Sequence, residues 1–276
     1  MTVINTNISA NIARDAIGRN DRAMSTSMER LSTGLRINSA KDDAAGMAIA
    51  ARMAGQISGL NMSKRNANDA ISMVQTIEGA SKEITSMLVR QRELAVQSAS
   101  ETYSATDRDA LELEFVALQD EITRIQENTQ WNGAALMDGG DTVAIQLGAS
   151  ASQSMDVVFK DWGLAATDAL GAGDISSLSV DTSTLAGAAI TALDIAITAA
   201  TAEQAAYGAY LSRLTHAADN LSNVATNLDQ SRSRIEDADY AVETTELART
   251  QIIAQASTAM LAQANQVKQT VLALLQ

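Results

Sequence analysis

Few residues in this 276-residue chain have the types and spacing that chemistry needs. Asp237-Ala238-Asp239 places two carboxylates two residues apart. A calcium loop uses such a pair, but also needs a Gly at the turn and a closing Glu, and neither follows here. Asp42-Asp43 offers paired carboxylates of the kind used in acid–base catalysis. The start of a helix accounts for them as well, because its free amides favour negative charge. His216 stands alone, off the apolar stripe around Leu214 and without a base beside it. With no Cys, there is no disulfide, thiolate nucleophile or Cys-based metal site. With one His, neither a His-based zinc site nor an HExxH pair can form. P-loop, GxGxxG and GxSxG patterns are absent. The inventory predicts no enzyme, no cofactor and no metal.

The elements that would position these residues are helical. The chain has no Pro and 51 Ala, and none of its 15 Gly lies beyond Gly208. Pro is the strongest helix breaker and Ala the best helix former, so the helices should be long and unbroken. Heptad spacing picks out three runs. The first is Leu60, Ser63, Ala67, Ala70, Val74, Ile77, Ser81, Ile84, Leu88, Gln91 and Ala95. The second is Leu111, Phe115, Leu118, Ile122 and Ile125. The third runs from Ile190 to Ile235 through Leu193, Tyr207, Leu214 and Leu221. At 1.5 Å per residue the third helix alone would be about 70 Å long. A globule of this chain length has a radius of gyration of about 19 Å, so the spacing predicts a rod.

Both ends carry an apolar stripe of their own. Ile17, Met24, Met28, Leu31 and Leu35 form one. Ile253, Ala256, Met260, Val267, Val271 and Leu274 form the other. Two such arms have little of their own chain to cover them, so packing between molecules is favoured. The seams break twice, at 33–46 and at 236–249, where charged residues occupy seam positions. Ser39 followed by Asp42 marks a helix start at the first break. A boundary crossed twice implies a discontinuous terminal domain, 1–40 with 240–276, and a rod domain, 41–239. Within the rod, Val143, Ile145 and Leu147 alternate with polar or small residues, as do Met155, Val157 and Phe159. That period of two predicts a β-hairpin near 141–160. Residues 160–185 are rich in Gly, Ala, Ser, Thr and Asp and read as an exposed excursion. Trp131, Trp162, Phe115 and Phe159 read as core or turn anchors.

The net charge is −13, unevenly spread. Residues 1–100 hold 12 Lys and Arg against 9 Asp and Glu; residues 101–276 hold 8 against 24. Either the surface is simply acidic, or a basic N-terminal half meets an acidic C-terminal half. An acidic chain is a poor phosphate binder, which argues against nucleic acid as a partner. No apolar run reaches 18 residues, so no membrane span is expected. The start lacks a cleavable signal pattern, so export, if it occurs, reads something else.

Beyond composition, several motifs resemble bacterial flagellin. Ile4-Asn5-Thr6-Asn7 and the block Glu29–Gly46 are similar to that family's N-terminal signature. Arg65–Asp69, Arg92–Gln97 and Asn132-Gly133 continue the likeness. At the other end, Ser231–Asp239 and Leu261–Gln266 do the same. The resemblance covers about residues 1–140 and 205–276. It implies a mainly α fold: a long antiparallel helical rod with a small β-hairpin, and terminal helices forming a second coiled-coil domain. It implies a helical homopolymer outside the cell, the flagellar filament, exported by the type III route. The implied partners are an export chaperone on the C-terminal arm, the filament cap and the hook–filament junction proteins. The family's contact patch for toll-like receptor five matches at Arg90, Leu94 and Glu114. Only about 45 residues separate Asp141 from Ala186, so large outer domains are missing. A hook–filament junction protein and a soluble coiled-coil adaptor are the competing readings.

Overall fold

A computed structural model of the protein describes residues 6–139, 142–165, 169–171 and 174–273, with side chains through 266. The chain is mainly helical. The helices are α1 (Ile8–Thr33), α2 (Ala44–Ala99), α3 (Ala105–Asn128), α4 (Ser183–Glu236) and α5 (Tyr240–Ala273). Two small hairpins lie between α3 and α4: β1 (Gln130–Trp131) with β2 (Ala134–Ala135), and β3 (Thr142–Gln146) with β4 (Ser154–Val158). The chain divides into two compact units, Met1–Ile57 with Thr226–Gln276, and Ser58–Ala225. Sequence breaks set the terminal domain at 1–40 and 240–276; in the structure, residues 41–57 and 226–239 also group with it.

In the central unit the heptad reading describes the packing closely. Every position of the run from Leu60 to Ala95 is buried. A fully buried Leu or Ile contributes about 1.5–3 kcal/mol, so Leu60, Ile77, Ile84 and Leu88 are the main apolar contributors of this stripe. Along α4, Leu193, Ala200, Tyr207, Leu214, Ala218, Leu221 and Ala225 are buried on the matching stripe. Polar seam residues bond across it. The Gln204 amide donates to the Ser81 carbonyl (3.0 Å) and the Thr85 hydroxyl (2.8 Å). Lys64 donates to the Ser222 hydroxyl (3.1 Å) and Arg92 to Asp194 (2.5 Å), so α2 and α4 run antiparallel. A capping box opens α3: the Ser104 hydroxyl accepts from the Asp107 amide (3.3 Å) while the Asp107 carboxylate accepts from the Ser104 amide (3.0 Å). Phe115 and Ile122 then enter the core.

The β3–β4 hairpin has the predicted alternation, with Ile145, Met155 and Val157 turned inward and Ala144 and Asp156 outward. In the tighter β1–β2 turn, Asn132 (φ 51°) and Gly133 (φ 82°) take the left-handed conformations such turns require.

The segment after the hairpin corrects the sequence reading. The described residues of 160–185 are not simply an exposed excursion: Trp162, Leu164, Ala169, Leu170, Ile175 and Val180 are buried. The Trp162 indole donates to the Tyr207 hydroxyl (3.1 Å), and their rings lie 6.4 Å apart. Burial pushes the Tyr207 phenol well above its ordinary pKa, so it stays a neutral hydrogen-bonding group. Lys160 pairs with the buried Glu203 (2.7 Å). The Gln119 amide donates to the carbonyls of Ile175 (3.1 Å) and Leu178 (3.2 Å), and the Val180 amide donates to Glu112 (2.6 Å). The small and polar residues serve the segment's turns, while its few large apolar ones dock on the helices.

Helix α1 ends at Gly34, which is left-handed at φ 74° and donates its amide to the Arg30 carbonyl (2.9 Å). A Cβ there would meet nothing within 4 Å, so a substitution costs backbone strain alone. Gly34→Ala should destabilise the terminal unit by about 1 kcal/mol. Faster hydrogen exchange of α1 amides, with those of α2 between Leu60 and Ala95 unchanged, would check it.

Candidate functional site

The terminal unit holds the residues that the sequence assigned to assembly. Its frame is a clasp between the two seam breaks. Leu35 and Asp237 form an antiparallel bridge. The amides of Arg36 (2.7 Å) and Ile37 (3.4 Å) both donate to the Glu236 carbonyl, and the Ala238 amide donates to Gly34 (2.9 Å). The Arg36 guanidinium adds a bond to the Ile235 carbonyl (2.5 Å). The clasp thus holds the end of α1 against the α4–α5 junction.

The suspect carboxylates are all used in this frame. Asp239 caps α5, accepting from the Ala241 amide (2.9 Å), and Asp237 accepts from the Ser233 hydroxyl (2.5 Å). Asp42 accepts from the Ser39 hydroxyl (3.0 Å), the Ser39 amide (3.0 Å) and the Asn38 amide (3.2 Å). The Ser39 hydroxyl does most to hold the Asp42 carboxyl below its usual pKa. Its contribution is therefore present above the ordinary carboxylate range and fades as pH falls through the lowered value. Ser39 is not the helix cap, however. Asp43 accepts from the Gly46 amide (2.9 Å), and α2 begins only at Ala44. His216 is an exposed residue of α4.

Helices α1 and α5 pair antiparallel through a thin seam. On α1 it comprises Ala10, Ala13, Ile17, Asn20, Met24, Ser27 and Leu31, all buried or half-buried. On α5 it comprises Glu243, Leu247, Thr250, Ala254, Ser257, Leu261 and Ala264. Small residues let the backbones approach, and polar bonds fix the register. The Asn20 amide donates to the Thr250 carbonyl (2.8 Å), Arg30 pairs with Glu243 (2.9 Å), and the Asn7 amide donates to the Ala264 carbonyl (3.3 Å).

This seam separates the residues that the sequence grouped together. Ile17, Met24 and Leu31 lie on the α1–α5 face, and Leu35 sits half-buried in the clasp. Met28 points out, 56% exposed. On α5 the mutual seam runs one residue later than the stripe read from sequence. Ile253, Ala256 and Met260 therefore lie outside it, Met260 being 67% exposed. The side chains of Val267 and Val271, and all of Leu274, lie outside the described residues. Sequence reasoning passed over Ile8, Ile12 and Ile252, which are more than half exposed. The i, i+4 spacing of Ile8 and Ile12, and the Ile252-Ile253 doublet, were the available signals. Ile12, Ala13, Ala16, Ile253, Ala256 and Met260 line most of a shallow groove of about 350 Å³ between the two helices.

Comparison with known proteins decides what this surface belongs to. The bacterial flagellin N-terminal helical region matches residues 4–142, and the bacterial flagellin C-terminal helical region matches 190–275. The chain belongs to the bacterial flagellin family. It is 45% identical to the flagellin of Halalkalibacterium halodurans and 40% identical to that of Bacillus subtilis, over 99% of both chains in each case. The crystal structure of Bacillus cereus flagellin, 32% identical, covers 61% of this chain and 94% of its own with a TM-score of 0.51. This flagellin is a structural, non-enzymatic protein of the short form. It polymerises into the extracellular filament of the bacterial flagellum, which serves motility.

The three residues matched to a receptor patch do not form one surface in this flagellin. Arg90 and Glu114 are exposed and paired (2.8 Å), and Arg90 also holds Glu93 (2.9 Å). Leu94 is 1% exposed. It belongs to the core cluster around Phe115, because its position in α2 faces inward beside the Leu88–Gln91–Ala95 stripe.

Proposed function

We propose that α1 and α5 are the assembly element of this flagellin and complete their packing only against other copies. The observation that supports this is the outward apolar stripe. Ile8, Ile12, Met28, Ile252 and Met260 are more than half exposed on a helix pair whose mutual seam is built largely of small and polar residues. Surface of that kind on a soluble subunit marks an interaction site. Ile17, Met24, Leu31 and Leu35 then hold the arms together. Met28, Ile253, Ala256 and Met260 meet the neighbour, and sequence spacing extends the same stripe to Val267, Val271 and Leu274. Each contact is heterologous and does not close, so it generates an open helix. The cost of ordering the arms is offset by apolar area gained from adjacent copies. The terminal domain, about 1–40 with 240–276, is the inner tube in this reading, and the remainder forms the outer contacts.

The same stripe needs cover before assembly, which is the role of an export chaperone on the C-terminal arm. The cap protein places each subunit, and the hook–filament junction proteins present the first arms. A second reading concerns the monomer. The exposed Arg90–Glu114–Glu93 cluster is a charged face on which toll-like receptor five would engage, with Leu94 supporting it from below.

Replacing one outward apolar residue with a carboxylate tests the assembly role. Ile252→Asp places an unpaired charge where a neighbour must cover it. The critical concentration for polymerisation should rise roughly 100-fold or more, with the monomer's circular dichroism unchanged. Filaments forming at the wild-type concentration would rule out this stripe as the contact.

A further inference from the structure

We propose that Met260 is an oxidation site that controls entry of the subunit into the filament, an inference that rests on the assembly role of the α1–α5 groove. The chain has no Cys and 11 Met, so thioethers carry all of its side-chain sulfur. Their exposure is graded. Met73, Met137 and Met155 are buried in the central core, whereas Met28, Met47, Met62 and Met260 are exposed, Met260 the most. The Met62 sulfur is in contact with the Arg65 guanidinium. Met260 instead lines the groove between α1 and α5, beside Ile253 and Ala256 and across from Ile12. It is thus both open to a small oxidant in the free subunit and placed on the surface that a neighbour must cover.

The chemistry needs only a peroxide. The sulfur lone pair attacks one oxygen of hydrogen peroxide, an S–O bond forms and the O–O bond breaks. The sulfur is oxidised by two electrons, and the departing hydroxide takes the proton from the transferred oxygen and leaves as water. A flexible apolar side chain becomes a polar one with a strong acceptor. In the free subunit that acceptor faces water, so the fold is unaffected. Under a neighbouring copy it loses water in a groove that is mostly aliphatic, and burial of an unsatisfied acceptor opposes association. Incorporation in turn covers the sulfur. The site therefore reports oxidant exposure before assembly and is silent afterwards.

Full-length wild type, Met260→Leu and Met260→Gln would be compared in seeded polymerisation, with peptide mass spectrometry locating sulfoxides after graded hydrogen peroxide. Met260 should oxidise before Met73, Met137 and Met155. The critical concentration of the oxidised wild type should rise at least about tenfold. With Met28, the other exposed Met assigned to the neighbour contact, replaced by Leu in every protein tested, Met260→Leu should keep its assembly at the same dose, and peroxide-treated filaments should retain the Met260 thioether. If Met260→Leu loses assembly as readily as wild type, or if Met260 sulfoxide enters filaments freely, the oxidation site is overturned and the groove's role stands. Met260→Gln mimics the polar product without oxidant. If it polymerises at the wild-type concentration, the groove reading falls, and this inference with it.

Discussion

A chain ending at Glu246 should form no filaments while its central unit, Ser58–Ala225, remains folded. The truncation removes most of α5, and with it Thr250, Ala254, Ser257, Leu261 and Ala264, the residues that α1 packs against. Ile252, Ile253 and Met260 go too, so the outward stripe loses its C-terminal half. The buried residues of the central unit extend no further than Ala225, so its helices keep their buried seam. A 34-residue helix contributes nothing to that core yet is required for polymerisation, if assembly depends on the arms. Circular dichroism would show the retained helices, and electron microscopy of seeded samples would show the lost filaments. Normal filaments from the truncated chain would remove α5 from the assembly mechanism altogether.

Trp162→Ala should be among the most damaging single changes in the central unit. Trp162 is fully buried, bonds Tyr207 through its indole and anchors the segment between the hairpin and α4. Removing a buried aromatic side chain of this size costs about 3–5 kcal/mol. For a unit of this size that corresponds to a fall in melting temperature of about 10 °C. Trp162→Phe keeps much of the ring contact and loses the hydrogen bond, so it should fall between the two. Thermal unfolding followed at 222 nm gives the comparison. A fall of only about 2 °C in Trp162→Ala would return residues 160–182 to the status of a surface loop.

These two expectations draw on different kinds of knowledge. The seam from Leu60 to Ala95 was legible because heptad spacing is a local property: the helix itself turns those side chains to one side, and every one is buried. The β3–β4 alternation was legible for the same reason with a period of two. The segment 160–182 was not. It has no period, and its Gly, Ser and Asp content outweighs six buried residues whose cover comes from elements distant in sequence. Leu94 shows the same limit. Its motif pointed to a surface contact, while its place on α2 put it in the buried core cluster with Phe115.

By itself, the sequence determined the family, the long helices, their apolar stripes and the two breaks, because composition and spacing act through the backbone of each element in turn. Only the tertiary structure decided which stripe faces which partner. Along α5, two adjacent frames are both plausible by spacing. The inward one is Thr250, Ala254, Ser257 and Leu261, because small residues allow close approach to α1 and Asn20 and Arg30 bond across it. The more hydrophobic frame, with Ile253 and Met260, is left outside. Hydrophobicity alone ranks those frames the other way. Non-local close packing and the register set by two polar contacts reverse the ranking, and leave the larger side chains exposed.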